Sequence, residues 1–177
     1  MPYPNWQPGM TITAARLNAM QPIIAVKSSN QQINNSAVLV DAAGLGIPVD
    51  ANAVYIMDGF LHWTGDANAD VRFAFSYPSG TTVAWGLTGA PNPNDAAYSN
   101  GQDKGTVVAR YWPAAATSDI IIYAATGMGT VLGGRLSGTV VTGGTAGTVQ
   151  LRFAQGTQHS STLTLLQRSW ISLRRVQ

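Results

Sequence analysis

The sequence predicts an all-β protein: a jelly-roll β-sandwich with a short N-terminal arm that contains one short helix. Glu is absent and Lys occurs only twice among 177 residues, although exposed helices favour both residue types. Apolar and polar residues alternate in several segments, which is the period of a half-buried strand. Clusters of Gly, Pro and Asn separate these segments at short intervals, as in sandwiches and jelly rolls.

The first 22 residues differ from the rest and define an N-terminal arm, which one sandwich domain follows over residues 23–177. Three of the first eight residues are Pro, which favours an extended path. Thr13 can cap a helix over residues 14–20. Because two helical turns are too short to be stable alone in water, we expect the arm to lie on another surface.

Three apolar side chains of the arm are candidates for docking onto a partner: Trp6, Leu17 and Met20. Trp6 lies in a segment without a core of its own, where a large aromatic is typical of an anchor in a partner's pocket. Leu17 and Met20 are three residues apart and share one face of the helix. We expect all three to be buried against a neighbouring subunit or another protein.

From residue 23 onward the chain consists of strands and turns. Val71, Phe73 and Phe75 alternate with polar or small residues, and the segment 147–155 follows the same period. Turn-forming residues separate the segments, for example at 77–80 and 143–145. The predicted strands are 23–28, 37–41, 52–63, 70–77, 81–87, 105–111, 119–126, 130–142, 147–155 and 168–176.

Two of the predicted strands are apolar on both faces, at residues 54–57 and 120–123. Such runs form either central strands covered by loops or strands with a second face at a subunit contact. Charged residues make up 10% of the chain, against about 25% in typical domains, which favours the contact. We therefore predict a homotrimer whose contact includes four residues: Val54, Ile56, Ile120 and Ile122.

The sequence lacks the patterns of a thiol or calcium site. Because Cys is absent, thiol catalysis and thiolate metal sites are excluded. The segment 66–70 has the first half of a calcium loop, but Val71 and Tyr77 stand where such a loop needs Gly and Glu. We interpret this segment as a polar hairpin loop.

The two histidines, His62 and His159, lack the spacing of metal ligands. His159 is next to Ser160 and Ser161, but there is no G-x-S-x-G motif, and neighbours in sequence do not make a catalytic triad. We therefore expect a protein that is not an enzyme and has no catalytic residues, no metal and no cofactor.

Charge and hydropathy argue against nucleic-acid or membrane binding. The formal net charge is only +2 and the charged residues are dispersed along the chain. Nucleic-acid binding instead relies on many basic side chains that contact phosphates. Apolar runs such as 120–125 are far shorter than the about 18 residues that span a bilayer. The first residues also lack the basic and apolar regions of a signal peptide. We expect neither nucleic acid nor a membrane as a partner.

Three tryptophans, Trp63, Trp85 and Trp112, lie at or near the ends of predicted strands. Burial in the core or beneath a loop is the common fate of such residues. The alternative is that their rings stack on sugars, as in lectin-like domains. Both interpretations are open at the level of sequence.

Residues 6–18, WQPGMTITAARLN, resemble the W-x-x-G-x-x-x-T-A-x-x-L-N opening of small structural proteins of tailed bacteriophages. Residues 144–155 and 168–176 are similar to the closing strands of the same group. The resemblance implies a virion structural protein with a trimeric jelly roll of the tumour-necrosis-factor or C1q type. It also implies synthesis in the host cytoplasm and a final place on the capsid surface or the tail.

Two functions are compatible with this resemblance. The first is a capsid decoration, or cement, protein that docks through its N-terminal arm on other virion proteins such as the major capsid protein. The alternative is a tail-tip or fibre head domain that binds host-surface glycans through aromatic residues in its loops.

Overall fold

The computed structural model describes residues 7–66, 68–89, 108–112, 121–123 and 127–177. In this part of the chain a six-residue helix, α1 (Ala14–Ala19), precedes twelve strands. The strands are β1 (Ile23–Val26), β2 (Gln31–Asn34), β3 (Val40–Val49), β4 (Val54–Gly65), β5 (Val71–Ser76), β6 (Thr82–Gly89), β7 (Val108–Trp112), β8 (Ile121–Tyr123), β9 (Gly127–Val141), β10 (Gly147–Gln155), β11 (Thr162–Leu165) and β12 (Trp170–Arg175).

The strands form two antiparallel sheets. The large sheet has the order β1-β12-β4-β9-β6-β7, with β11 pairing both β4 and β2. The small sheet has the order β3-β10-β5-β8. From β3 to β6 successive strands alternate between the two sheets, and so do β8, β9 and β10, which is the connectivity expected of a jelly roll. The predicted all-β sandwich is confirmed.

The core fills the space between the two sheets. Trp63 of β4 meets Phe73 of β5 edge to face, with ring centroids 5.5 Å apart. Phe75 and Trp85 make a second such contact at 5.1 Å. Aromatic pairs of this geometry add about 0.5–1.5 kcal/mol to the gain from burial. These contacts join the large sheet to the small one.

Strand β3 differs most from its predicted extent of 37–41. The glycines and the proline at 44, 46 and 48 favour a turn in sequence, yet the strand runs to residue 49. Gly46 pairs with Gln150 and Asp41 pairs with Arg152, so residues 42–45 lie opposite a single residue of β10. The turn-forming residues therefore make a β-bulge in an edge strand rather than a loop.

Polar side chains satisfy the backbone of this bulge. Gln150 Nε2 donates to the carbonyl of Ala42 at 2.9 Å. The Lys27 ammonium donates to the carbonyl of Ala43 at 3.0 Å and to Gln31 Oε1 at 2.8 Å. Lys27 is only 2% exposed, and this burial lowers the pKa of its ammonium group. Lys27, which follows β1, therefore links this part of the chain to the bulge in the small sheet.

Two short strands, β2 and β11, are absent from the sequence prediction. They pair with each other. Strand β11 also pairs with β4 at residues 63 and 64, just past the segment of β4 that pairs with β12. The predicted strands 105–111 and 119–126 correspond to β7 and β8, and their other residues lie outside the described part of the chain.

Candidate functional site

The outer face of the large sheet consists of the side chains that point away from the core. Along β4 buried residues alternate with half-buried or exposed ones, as expected when one side of a sheet covers a core. Strands β1, β12 and β9 pair in register with this alternation. The large apolar members of the outer face are Ile24, Val26, Val54, Ile56, Phe60, Val131, Val141 and Trp170.

These apolar residues form two groups of neighbours, which a polar row through Asp58 separates. Val26 pairs with Trp170, which pairs with Phe60 on the next strand. Val54 pairs with Val141. Single exposed aliphatic residues are normal on protein surfaces, whereas a contiguous apolar patch marks an interaction site. We therefore regard this face as the candidate site.

The exposure of the aliphatic members is high for apolar side chains in strands. Ile24 is 58% exposed, Val26 55%, Val141 43% and Ile56 41%. Polar residues separate them: the exposed Thr139 and the exposed Arg174 lie on either side of Ile56 in the neighbouring strands. A surface of this kind gains free energy when a partner removes it from water.

A half-buried aromatic group covers one end of the outer face. The rings of Phe60 and His62 have centroids 4.8 Å apart. The Phe60 ring lies over Gly133, because a Cβ at that glycine would come within 2.9 Å of Phe60 Cζ. The aromatic group, which includes Trp170, was missed in the sequence analysis, although the alternation of buried and outward residues along β12 is a signal for it.

An ion pair lies within the outer face. Arg135 of β9 contacts Asp58 of β4 with both Nε and Nη2, each 3.3 Å from a carboxylate oxygen. The side chains are 69% and 41% exposed, respectively. The geometry is bidentate, but such an exposed pair contributes little to the stability of one chain.

The outer face of the small sheet has a different chemistry. Gln150 and Arg152 of β10 and Arg72 and Ser76 of β5 point outward there. Arg152 Nε lies 3.1 Å from Asp41 Oδ1. The polar side chains make this face compatible with water.

The predicted trimer-contact residues do not share one surface. Val54 and Ile56 both lie on the outer face of the large sheet. Ile122 is in β8 of the small sheet, where its side chain is not described, and Ile120 lies outside the described residues. The role of all four in a trimer stays a prediction.

The described part of the arm, residues 7–22, is mostly exposed. Leu17 is 49% exposed and Ile12 is 66% exposed, while Met20 is half-buried. Trp6 lies outside the described residues. The docking role of Trp6, Leu17 and Met20 therefore stays a prediction.

The suggestion that Trp63 and Trp85 stack on sugars is wrong for this structure. Trp63 is 0% exposed and Trp85 is 1% exposed, since both rings fill the core between the sheets. Neither ring is available to a ligand from solvent. Trp112 is in β7, where its side chain is not described.

The structure brings Asp66, His159 and Ser161 together at one end of the sandwich. The Ser161 hydroxyl donates directly to Asp66 Oδ2 at 3.3 Å, and the Ser161 backbone N–H donates to His159 Nδ1 at 3.2 Å. In a hydrolase triad the imidazole lies between the other two groups, and its Nδ1–H donates to the carboxylate. Here Nδ1 accepts, so the arrangement differs from a triad.

The Asp66 carboxylate instead organises its own loop. The backbone N–H of Asn68, which donates to Asp66 Oδ1 at 2.9 Å, is the main cause that lowers the pKa of this carboxyl. The Asn68 side chain and the Ser161 hydroxyl lower it further, while partial desolvation acts in the opposite direction. This network is that of a polar hairpin loop.

Within the described residues no group of three or more His, Asp or Glu side chains could hold a metal ion. No helix in that part of the chain is long and apolar enough to cross a membrane.

Comparisons with known proteins find similarity only among solved structures. No protein-family model and no curated protein sequence matches the chain. The chain is similar to the tripod from the baseplate of bacteriophage Tuc2009, with 13% identity and a TM-score of 0.29, over 99% of this chain and 75% of that chain. It is also similar to a chain of infectious bursal disease virus Gx strain, with 12% identity and a TM-score of 0.25, over 99% of this chain and 44% of that chain. Similarities this weak carry no conclusion, and the fold rests on the strand order described above.

Proposed function

We propose that the protein is a structural component of a tailed-phage virion, most specifically a capsid decoration protein. In this proposal three copies associate through the outer face of the large sheet, and the N-terminal arm docks on a neighbouring virion protein. The observation that carries the proposal is the set of exposed aliphatic residues on the outer face of the large sheet, such as Ile24, Val26 and Val141. The resemblance of residues 6–18 to structural proteins of tailed phages supports a location on a virion.

The residues predicted for the trimer contact suit a cyclic assembly. Val54 and Ile56 lie on the large sheet, whereas Ile122 belongs to the small sheet. In a ring of three copies one surface of each copy meets a different surface of the next, so the two contacting regions need not coincide. Strand β8 is at an edge of its sheet, where a neighbouring copy can reach it.

The arm supports attachment to a larger assembly. Its helix α1 has only six residues, too few for stability without a surface to lie on. Ile12 is 66% exposed and Leu17 is 49% exposed. A segment of this kind gains its order from a partner and loses little conformational freedom on docking, because its prolines restrict the backbone.

The direct test is to locate the protein on purified phage particles by electron microscopy with a specific antibody label. We expect label distributed over the capsid. Label confined to the tail tip would overturn decoration but keep a virion structural role, and particles without the protein would overturn both.

Deletion of residues 1–22 tests the arm. We expect the truncated chain to keep its melting temperature and its oligomeric state but to lose incorporation into particles, since the sandwich begins at β1 (Ile23–Val26). Replacement of the exposed Thr148 by Asp serves as a control that should be incorporated normally. A truncated chain that still enters particles, or that fails to fold, would show that the arm is not the docking element.

A further inference from the structure

We propose that one corner of the large sheet, formed by β1 and β12, docks on the same virion protein that takes the N-terminal arm, and that this protein presents carboxylates to Arg168 and Arg174. The inference rests on the arm docking proposed above and names the chemistry of the partner. We call this surface the β1–β12 corner and define it by five residues: Ile24, Val26, Arg168, Trp170 and Arg174. Trp170 is half-buried, and the other four are exposed.

The apolar part of the β1–β12 corner lies between its two arginines. Ile24 and Val26 are both more than half exposed, and Val26 pairs in register with Trp170. Arg168 adjoins the end of β1, because its backbone N–H donates to the carbonyl of residue 27 at 2.8 Å. Arg174 lies beside the start of β1, because residue 173 pairs with residue 23. The corner is therefore an apolar strip with one cation at each end.

The two arginines of the corner differ from the other arginines whose side chains the structure describes. Each of those others contacts a backbone carbonyl or an aspartate of the same chain: Arg72, Arg135, Arg152 and Arg175. Within the described residues, neither Arg168 nor Arg174 has an ion pair or a side-chain hydrogen bond. A partner that covers the apolar strip removes water from both guanidinium groups. Since a desolvated guanidinium needs acceptors, the partner must supply them.

Carboxylates are the acceptors that fit this requirement best. A carboxylate accepts two parallel hydrogen bonds from a guanidinium and neutralises its charge. An apolar partner without acceptors would leave two desolvated charges unpaired, and a basic partner would repel them. The partner of the corner is therefore an apolar surface with acidic residues at its rim.

Continuity with the arm indicates which protein this partner is. Ile24 follows Met20 by four residues, so the two residues lie within about 14 Å of each other. A protein that takes Leu17 and Met20 is therefore next to the β1–β12 corner, and one surface can cover both. The corner adds to that contact at little cost in ordering, because β1 is already fixed by its pairing with β12.

A second copy of this chain fits the corner poorly. Its own large sheet would bring the same two arginines to the contact, and like charges repel. Its aspartates at 41, 50 and 58 already contact arginines of their own chain, so a copy would have to break an ion pair to supply a carboxylate. The trimer contact proposed above instead uses Val54, Ile56 and Val141 on β4 and β9, with Arg174 at the boundary between the two contacts.

The first experiment adds the purified full chain back to phage particles assembled without it and measures the bound chain over a concentration series. We expect Arg168→Gln and Arg174→Gln each to raise the concentration for half-saturation by about fivefold or more. Arg152→Gln, which removes the same charge from the outer face of the small sheet, is the control and should change it less than about twofold. Thermal melting of each variant checks that folding is intact.

A second experiment identifies the group opposite Arg174. Arg174→Lys keeps the charge and provides an amine, which a carbodiimide joins to a carboxylate in direct contact. We expect a crosslink from position 174 to an Asp or Glu of another virion protein, mapped by mass spectrometry of the particles. The control Arg152→Lys should give no crosslink to another chain.

The outcomes separate this inference from the virion role on which it rests. If the wild-type chain binds the particles and the variants at 168 and 174 bind equally well, the corner lies outside the contact and the inference is wrong. A crosslink from position 174 to a second copy of this chain, or to no other chain at all, also contradicts the inference. A wild-type chain that does not bind these particles overturns the proposed attachment to a virion, and the inference with it.

Discussion

The two outer faces of this sandwich enclose the same core but differ in chemistry. The large sheet presents Ile56, Val141 and other aliphatic side chains at exposures of 41% and more. The small sheet presents Gln150, Arg152 and Arg72, whose side chains bond to backbone carbonyls of the same chain. The polar side chains of the small sheet can remain in contact with water, whereas the exposed aliphatic side chains of the large sheet gain free energy when a partner covers them.

This difference supports the large sheet as the location of the proposed contact. Folding of a single sandwich requires only the inward side chains to be apolar, and the outward set is free to be polar. Outward residues of β10 and β5, such as Gln150 and Arg72, follow this rule, whereas Ile24, Val26 and Val141 of the large sheet do not. The proposed contact between molecules, rather than folding, is our explanation for the apolar outward residues of the large sheet.

The largest effect should follow from placing a charge on the apolar face. Val141→Asp is expected to abolish the proposed trimer at micromolar concentration, because the register partners of Val141 are the uncharged Val54 and Thr82 and an unpaired charge in a covered contact costs about 2–5 kcal/mol. Thr148→Asp, on the exposed outer face of the small sheet, is the matched control and should assemble as the wild type does. Light scattering gives both masses. Equal association of the two variants would mean that the two faces do not differ in function.

A second substitution separates folding from association. A Cβ added at Gly138 of β9 would lie 2.9 Å from Trp85 Cα, and backbone atoms of a paired strand cannot move away cheaply. We expect Gly138→Ala to lower the free energy of unfolding by about 3 kcal/mol, measured by denaturant unfolding of the dissociated chain. Gly144→Ala, where nothing lies within 4 Å of the added Cβ, should be nearly neutral. Equal stability of the two variants would contradict the close packing of β6 on β9.

The smallest effect concerns Lys27, which connects the end of β1 to the bulge in β3. Burial lowers the pKa of its ammonium in the folded chain, whereas the unfolded chain keeps the ordinary value near about 10.4. Between these two values the unfolded chain binds more protons, so the free energy of unfolding rises with pH. The free energy of unfolding of the wild type, relative to that of Lys27→Met, should therefore increase as the pH rises toward the pKa of the unfolded lysine. A constant or decreasing difference would contradict the desolvation of this group.

The sequence predicted the sandwich well where alternation is regular. Strands β4, β5, β9, β10 and β12 lie close to their predicted positions, because one face of each covers the core and this imposes a period of two. Strand β3 was shortened in the prediction because residues 44, 46 and 48 are typical of turns. Only the pairing with β10 shows that they form a bulge, and pairing between distant segments is not visible in local composition.

The candidate site was predicted in part. The two-sided apolar run at residues 54–57 pointed to Val54 and Ile56, which do lie on the outer face of the large sheet. Trp170, Asp58 and Arg135 were missed, because their proximity depends on the order β12-β4-β9 within the sheet. The error over Trp63 and Trp85 has a similar origin, since position near a strand end does not reveal which side of the sheet a residue occupies.

The chain has no cysteine, which allows the most direct test of whether the large sheet's outer face is covered. Single variants Thr139→Cys and Thr148→Cys place one thiol on each outer face, at positions that are both exposed in a single chain. Their rates of reaction with a thiol reagent are compared at micromolar concentration and after dilution. We predict that the thiol at position 139 reacts at least about tenfold more slowly than that at 148 when concentrated, as expected of a residue excluded from water in a contact, and that the two rates converge on dilution. Equal rates at every concentration would contradict the account.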